Sequence, residues 1–294
     1  MAVFASKLGA PETPRLLEGN DWLCVEMAPP RAGITLVSAD GSSRQVAPAG
    51  CPNGLCIDRG RSIWVADTVP PALLRVQMDG SSDAVLTSGD AGPFLLPNDL
   101  CFSPSGLLYM TDSGMLMSDW VVDGAPRPDW KSAPFDGKLW EIDLEAQTAR
   151  AIDRGLRFAN GIAFGPDGRL YINEMISGDI SAYEVTDGRV SGPRTHFANV
   201  LSSDWQGGFR GPDGMCFSED GRLWCTVYGE GKIAVISPEG DVVERLKTLG
   251  SAPTNVAFGS DGEKRIYITE HELGQIETLE VDARAYPLFD GPTK

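Results

Sequence analysis

The chain has 294 residues, 42% of them hydrophobic, and a formal net charge of −16. That charge argues against nucleic acid or an anionic membrane as a partner, and it suits either the attraction of cations or plain solubility. No stretch approaches membrane-spanning length, the first ten residues have neither a basic start nor an apolar run, and the six cysteines form no C-x-x-C pair, so a cytoplasmic, disulfide-free protein is expected.

One phrase recurs along the chain: a Pro-Asn-Gly-like triplet, an apolar run, an Asp-Gly-like turn, and a strand that usually ends in an acid. Its copies start at Pro11-Glu12-Thr13-Pro14, Pro52-Asn53-Gly54, Pro97-Asn98-Asp99, Ala159-Asn160-Gly161, Pro212-Asp213-Gly214 and Pro253-Thr254-Asn255. They run to Glu26, Asp67, Asp112, Glu174, Val227 and Glu270. In the first five copies the lead residue (Glu12, Asn53, Asn98, Asn160, Asp213) precedes the last residue by fourteen positions, and the sixth, led by Thr254, is slightly longer at its turn. Lead residues are separated by 41, 45, 62, 53 and 41 positions. One four-stranded unit per repeat fits that spacing, which is the period of propeller blades.

Within each unit the strands are bounded by Gly, Pro, Asp and Ser clusters, and no helical period is sustained. In the fourth, Gly161–Phe164 is a short inner strand, Pro166-Asp167-Gly168 a hairpin turn, and Leu170–Asn173 the strand that returns. Third strands follow at Leu74–Gln77, Leu139–Ile142 and Ile233–Ile236, with weaker fourth strands such as Arg194–Phe197. The expected fold is all-β: one domain over residues 1–294, a six-bladed propeller of four-stranded antiparallel blades around a central channel. Val3–Lys7 is expected to complete the last blade, with Tyr286–Phe289 competing for that place. Cys56, Cys101 and Cys216 share one inner-strand position, which favours buried, reduced packing residues.

Equivalent positions of a propeller converge on its axis, so the six lead residues should ring one mouth of the channel. Carboxylate and amide oxygens there suit a hard cation such as Ca²⁺. For any single Asn-Gly, an ordinary turn is the simpler reading. The set differs because an acid replaces Asn in the first and fifth units while the rest of the phrase persists. Asn53 and Thr254 are the members best explained without a ligand. The second strand climbs back to the same mouth, so Asp67, Asp112, Glu174, Tyr228 and Glu270 should form an outer ring. From that ring Asp112, Ser113, Tyr228 and His271 are candidate substrate contacts, the alternative being hydrogen bonding between blades.

These phrases resemble the regucalcin and gluconolactonase family of six-bladed, metal-dependent propeller hydrolases, over essentially the whole chain. The resemblance implies a divalent cation, most often Ca²⁺ and otherwise Zn²⁺ or Mn²⁺, held by Glu12, Asn160 and Asp213, with Asn98 binding it directly or through water and substrate. It also implies a small-molecule lactone or ester as substrate. Two departures stand out: Thr13 replaces the usual Gly after the Glu, and Leu96 stands where sugar-lactone members resembling regucalcin carry Arg. A lactone in general is therefore better supported than a sugar lactone.

In such a site the cation polarises the ester carbonyl and water attacks, with Asp213 or Asp99 taking the proton. A direct ligand makes a weaker base, which tilts the choice toward Asp99, and Asp213 could instead be the nucleophile. Only two histidines exist, and there is no G-x-S-x-G, H-E-x-x-H or phosphate-binding loop. His196 falls in a fourth strand and is read as structural. The third unit carries an insertion, Gly114 to Gly137, with Met115, Met117, Trp120, Trp130 and Phe135. It could cover the pocket with an apolar wall, pack on itself, or form a subunit contact; the oligomeric state is left open. The alternatives to a lactonase are an organophosphate triesterase and a non-catalytic calcium-binding propeller.

Overall fold

The structure, a computed structural model, describes residues 1–292. Six four-stranded antiparallel sheets follow one another along the chain. Blade 1 runs Pro11–Leu16, Trp22–Glu26, Gly33–Val37 and Ser43–Pro48, and blade 2 runs Pro52–Ile57, Ile63–Thr68, Pro71–Val76 and Ser82–Leu86. Blade 3 is Pro97–Phe102, Leu108–Asp112, Gly137–Asp143 and Thr148–Leu156; blade 4 is Ala159–Phe164, Leu170–Glu174, Asp179–Tyr183 and Thr195–Asn199. Blade 5 comprises Gly211–Phe217, Leu223–Tyr228, Lys232–Ile236 and Val242–Lys247.

Blade 6 has three strands from the C-terminal part of the chain, Pro253–Phe258, Arg265–Glu270 and Gln275–Glu280. Its outer strand is Ala2–Ser6, paired through Ala2 with Thr278 and Ser6 with Gln275. The N-terminal segment therefore closes the ring as expected, and a sheet edge that would otherwise lie open is paired. Tyr286–Phe289 goes elsewhere. The tail leaves blade 6, bridges Ser218 through Ala285, and donates the Tyr286 N–H to Phe217 O at 3.0 Å. Phe289 then packs edge-on to Phe164 at 5.8 Å, and Gly291 bridges Asp58. The tail thus crosses the channel end opposite the lead residues, leaving a cavity of about 60 Å³ that reaches Arg15, Asp99 and Phe289.

Each first strand contacts the first strands of both neighbouring blades, so the six form a closed circle around the axis. The hydrophobic clusters lie between blades as well as within them. One joins Trp64 and Leu73 of blade 2 to Met110, Trp140 and Ile142 of blade 3. Blades cannot bury both faces alone, and this is where their apolar surface goes. All six cysteines are free, with Cys56, Cys101 and Cys216 buried as expected of packing residues. No helix among the described residues is long and apolar enough to cross a membrane.

Deleting residues 1–6 should expose the edge at Gln275–Glu280 and lower Tm by about 5 °C or more, read by thermal denaturation. An unchanged Tm would mean that ring closure does not depend on this strand.

Candidate active site

The lead residues begin the first strands, but they do not sit in turns. In every blade the pairing of first and second strands slips by one residue at this point. Pro97 pairs with Asp112 and Leu100 with Met110, and the same extra residue occurs between Ala159 and Ile162 and between Pro212 and Met215. Glu12 to Arg15 and the equivalent positions of blades 2 and 6 carry it too. Such β-bulges re-aim a side chain out of the sheet's alternation.

The glycine after the lead residue has a different cause from the one turn chemistry suggests. A Cβ on Gly161 would lie 2.2 Å from Asp213 O, one on Gly54 2.4 Å from Asn98 O, and one on Gly214 2.0 Å from Asn255 Cγ. Neighbouring first strands approach so closely at the axis that only Gly fits. A side chain from the preceding blade then grips the lead carbonyl. Thr13 Oγ1 donates to Asn53 O at 3.2 Å, Thr111 Oγ1 to Asn160 O at 2.6 Å, Asn173 Nδ2 to Asp213 O at 2.5 Å and Thr226 Oγ1 to Thr254 O at 2.9 Å. Thr111, Asn173 and Thr226 were missed in the sequence. Their signal is a polar residue one position before the end of the repeated phrase, which falls at Asp112, Glu174 and Val227 in these three copies.

All six lead residues line one cavity of about 600 Å³. Thr254 spends its hydroxyl on Pro11 O at 2.9 Å, tying blade 6 to blade 1. Asn98 donates Nδ2 to Ser113 Oγ at 3.1 Å, and its buried Oδ1 has no partner. Asn160 Nδ2 rests 3.6 Å from Met175 Sδ. Glu12 and Asp213 expose 4% and 5% of their surface. Burial raises the Glu12 carboxyl well above its usual range, with the nearby charges of Asp213 and Asp99 adding to it and the Thr13 N–H, 3.0 Å away, opposing it. Asp213 is raised by burial and Asp99, against the Asn160 side chain. Among the described residues, no Lys or Arg lines the cavity.

Asp99 lies one layer lower. It lines the small cavity above the tail, accepts from Leu100 N at 2.8 Å and Ile162 N at 3.4 Å, and is pushed up to about 6 by burial. The strand-end acids turn out to be held differently from the lead acids. Asp112 accepts from Leu95 N at 2.8 Å, Leu96 N at 3.0 Å and Gly114 N at 2.9 Å, which fills its carboxylate, and it does not line the cavity. Asp67 and Glu174 likewise take backbone N–H groups from the linker that enters their blade. Ser113 Oγ donates to Ala159 O at 2.9 Å while accepting from Asn98, so it orients Asn98 rather than facing the cavity.

Tyr228 and His271 do line the cavity, with ring centroids 6.2 Å apart. Burial lowers the His271 pKa, keeping the ring neutral at pH 7, and holds the Tyr228 hydroxyl protonated by raising its pKa to about 12. His196 is exposed, 3.4 Å from Asp179. The insertion folds over the same mouth through a short helix, Met117–Trp120, and a hairpin of Val121–Val122 with Ala125–Pro126. Trp120 is buried against Phe158 and Phe209, at 4.8 and 5.2 Å between ring centroids. The insertion is therefore anchored on blades 4 and 5 and does not only pack on itself.

Among the described residues, no group of three or more His, Cys, Asp or Glu side chains is arranged to hold a metal by itself. The donor set here is instead two uncompensated buried carboxylates with amide oxygens, one of them unpartnered, and that set fits a hard divalent cation.

Residues 30–272 match the SMP-30/Gluconolactonase/LRE-like region family. The chain belongs to that family. A gluconolactonase of Zymomonas mobilis is 25% identical over 94% of this chain and 80% of its own length. The pentonolactonase XacC of Haloferax volcanii is 28% identical over 66% of this chain and 65% of its own length. Among solved structures, the calcium-binding protein regucalcin of Agrobacterium tumefaciens superposes with a TM-score of 0.78 at 16% identity, covering 99% of this chain and 96% of that one.

The raised lead carboxyls make a testable link to stability. A carboxyl whose pKa rises on folding stabilises the protein below its unfolded value, near 4, and that contribution is lost as pH climbs through the folded value. In chelator-treated protein, Asp213→Asn should therefore raise Tm, and the gain should grow from pH 5 to pH 8, reaching about 2 °C or more. A gain that shrinks with pH would contradict the charge pairing of Glu12 with Asp213.

Proposed function

We propose that the protein opens lactones by adding water across the ring ester with the help of a divalent cation. The observation that carries this is the floor of the cavity, where Glu12 and Asp213 sit buried, with no Lys or Arg among the described lining residues, beside Asn98 Oδ1 that has no hydrogen-bond partner among them. Family membership and the lactonases among the relatives support the reaction class. Glu12, Asn160 and Asp213 would hold the cation, with Asn98 reaching it directly or through water and substrate. Ca²⁺ best suits this oxygen set, ahead of Zn²⁺ or Mn²⁺. When bound, it supplies a Lewis acid at the ester carbonyl.

The residues of the chain supply the rest. The ester ring lies on the floor and water adds to its carbonyl carbon. Asp213 takes the water's proton as the ring C–O bond breaks, then returns it to the departing alkoxide, leaving a hydroxy acid. Asp99 was the favoured base from sequence. Because it faces the lower cavity and is engaged by two backbone N–H groups, we give that role to Asp213. Asp99 instead keeps the proton affinity of Asp213 high by its charge, opposing the drop that a cation imposes. Ser113 and Thr111 are positioning residues for Asn98 and Asn160. Tyr228 offers a hydroxyl donor to the substrate, and neutral His271 lines the same side.

The test is hydrolysis of a panel of lactones, aryl esters and organophosphate triesters after chelation and after metal add-back. Lactone opening should vanish with chelator and return with metal. Asp213→Asn and Glu12→Gln should lower kcat/KM by about 10³-fold or more while the proteins stay folded. Turnover confined to the triesters would reassign the reaction. Metal binding with a large thermal shift and no turnover would make the protein a calcium-binding scaffold.

A further inference from the structure

The floor of the cavity is polar, but its walls are not. Met27, Leu96, Met117, Trp120, Phe158 and Phe209 rise around the lead residues, and the remaining polar groups, Tyr228 and His271, stand together at one side. Leu96 and Phe158 each stand two positions before a lead residue, as do Ala10 and Cys51, which also line the cavity. The linkers that deliver the ligand oxygens thus deliver the wall above them. Phe158 adopts φ 62°, a left-handed conformation that is unfavourable for a bulky residue. Its ring is turned into edge contact with Trp120 and, at 5.6 Å, with Phe135. Aromatic side chains from blade 3's insertion and from the linkers into blades 4 and 5 thereby form one fixed chamber.

Such a chamber discriminates by what it cannot offer. Above the floor, the hydroxyls of a polyhydroxylated ring would meet mostly hydrocarbon, with Tyr228 and His271 as polar partners on one side only, and the others would lose their water without replacement. An anionic substituent would meet Glu12 and Asp213, with no Lys or Arg among the described residues of the lining. We propose that the substrate is an uncharged lactone bearing an alkyl or aryl substituent. Its ester ring rests on the floor and its substituent lies against Trp120, Phe158 and Phe209. The substrate class rests on the hydrolytic reading of the floor, but the shape and chemistry of the wall are independent of it.

The experiment separates the two. With metal-loaded protein, kcat/KM for a δ-lactone carrying a pentyl chain should exceed that for glucono-δ-lactone, the same ring with hydroxyls, by about tenfold or more. Equal rates, or preference for the polyol, would overturn the substrate class while leaving the lactonase. If neither is opened, the hydrolytic reading fails instead. The wall is then judged by binding alone, by calorimetry with the two corresponding δ-lactams, which do not turn over. The pentyl lactam should bind about tenfold or more tightly than the polyhydroxy lactam, and equal binding overturns the proposal. Trp120→Ala should weaken the pentyl lactam by about tenfold. Should that variant fail to fold, Val121→Asp, on the part-exposed hairpin lining the cavity, should weaken it in the same direction. An unchanged affinity in folded Val121→Asp would also overturn it.

Discussion

The contact between neighbouring first strands at the axis governs the rest of this structure. Gly54, Gly161 and Gly214 let the next strand's backbone or side chain come within a distance that any Cβ would forbid. The lead carbonyls of Asn160, Asp213 and Thr254 are each held by a Thr or Asn from the blade before them. Both devices act on the main chain of the lead residues, so their side chains are left free for other work. The bulge at the same place turns those side chains into the cavity. Ring closure and site geometry are therefore one construction, with Thr254 to Pro11 as its seam.

Two populations of buried acid show how function is kept apart from stability. The strand-end acids are saturated: Asp112 takes three backbone N–H groups, and Asp67 and Glu174 fasten the linkers into their blades. Those N–H groups occupy the Asp112 carboxylate and oppose, without cancelling, the rise in its pKa that burial causes. Glu12, which accepts the Thr13 N–H, and Asp213, which faces the Asn160 side chain, stand against one another with Asp99 below. A buried pair of like charges is costly in a folded protein, which is the reason to read it as a place for a cation rather than as architecture. The apolar wall adds a second asymmetry. Polar groups concentrate at the floor, so a bound ester would be oriented by the contrast between floor and wall as much as by any single contact.

Much of this was legible in the sequence. The constant interval between lead residue and strand end reported the hairpin that every blade shares, and its recurrence gave six blades, the closing role of the N-terminal strand and the convergence of Glu12, Asn53, Asn98, Asn160, Asp213 and Thr254. The apolar side chains of the insertion left a cover over the mouth, self-packing and a subunit contact open, and Trp120 lines the cavity. Less legible was the meaning of Asn-Gly. Turn chemistry and close strand packing ask for the same residue, and a local reading favours the turn.

Sequence alone determined the architecture, because the hydrophobic period and turn residues of each repeat are local and every unit restates them. It also determined which side chains meet, since equivalent positions in a closed ring must face one axis. Only the tertiary structure decided what those side chains are free to do. Asp112 is silenced by N–H groups of Leu95 and Leu96 that come from the linker into its own blade, and Asp99 faces the lower cavity because of a one-residue bulge. Phe158, Phe209 and Trp120 become one wall though they lie far apart in the chain. Hydrogen-bond saturation and enclosure depend on which backbone and side chains arrive from elsewhere, and no local pattern carries that information.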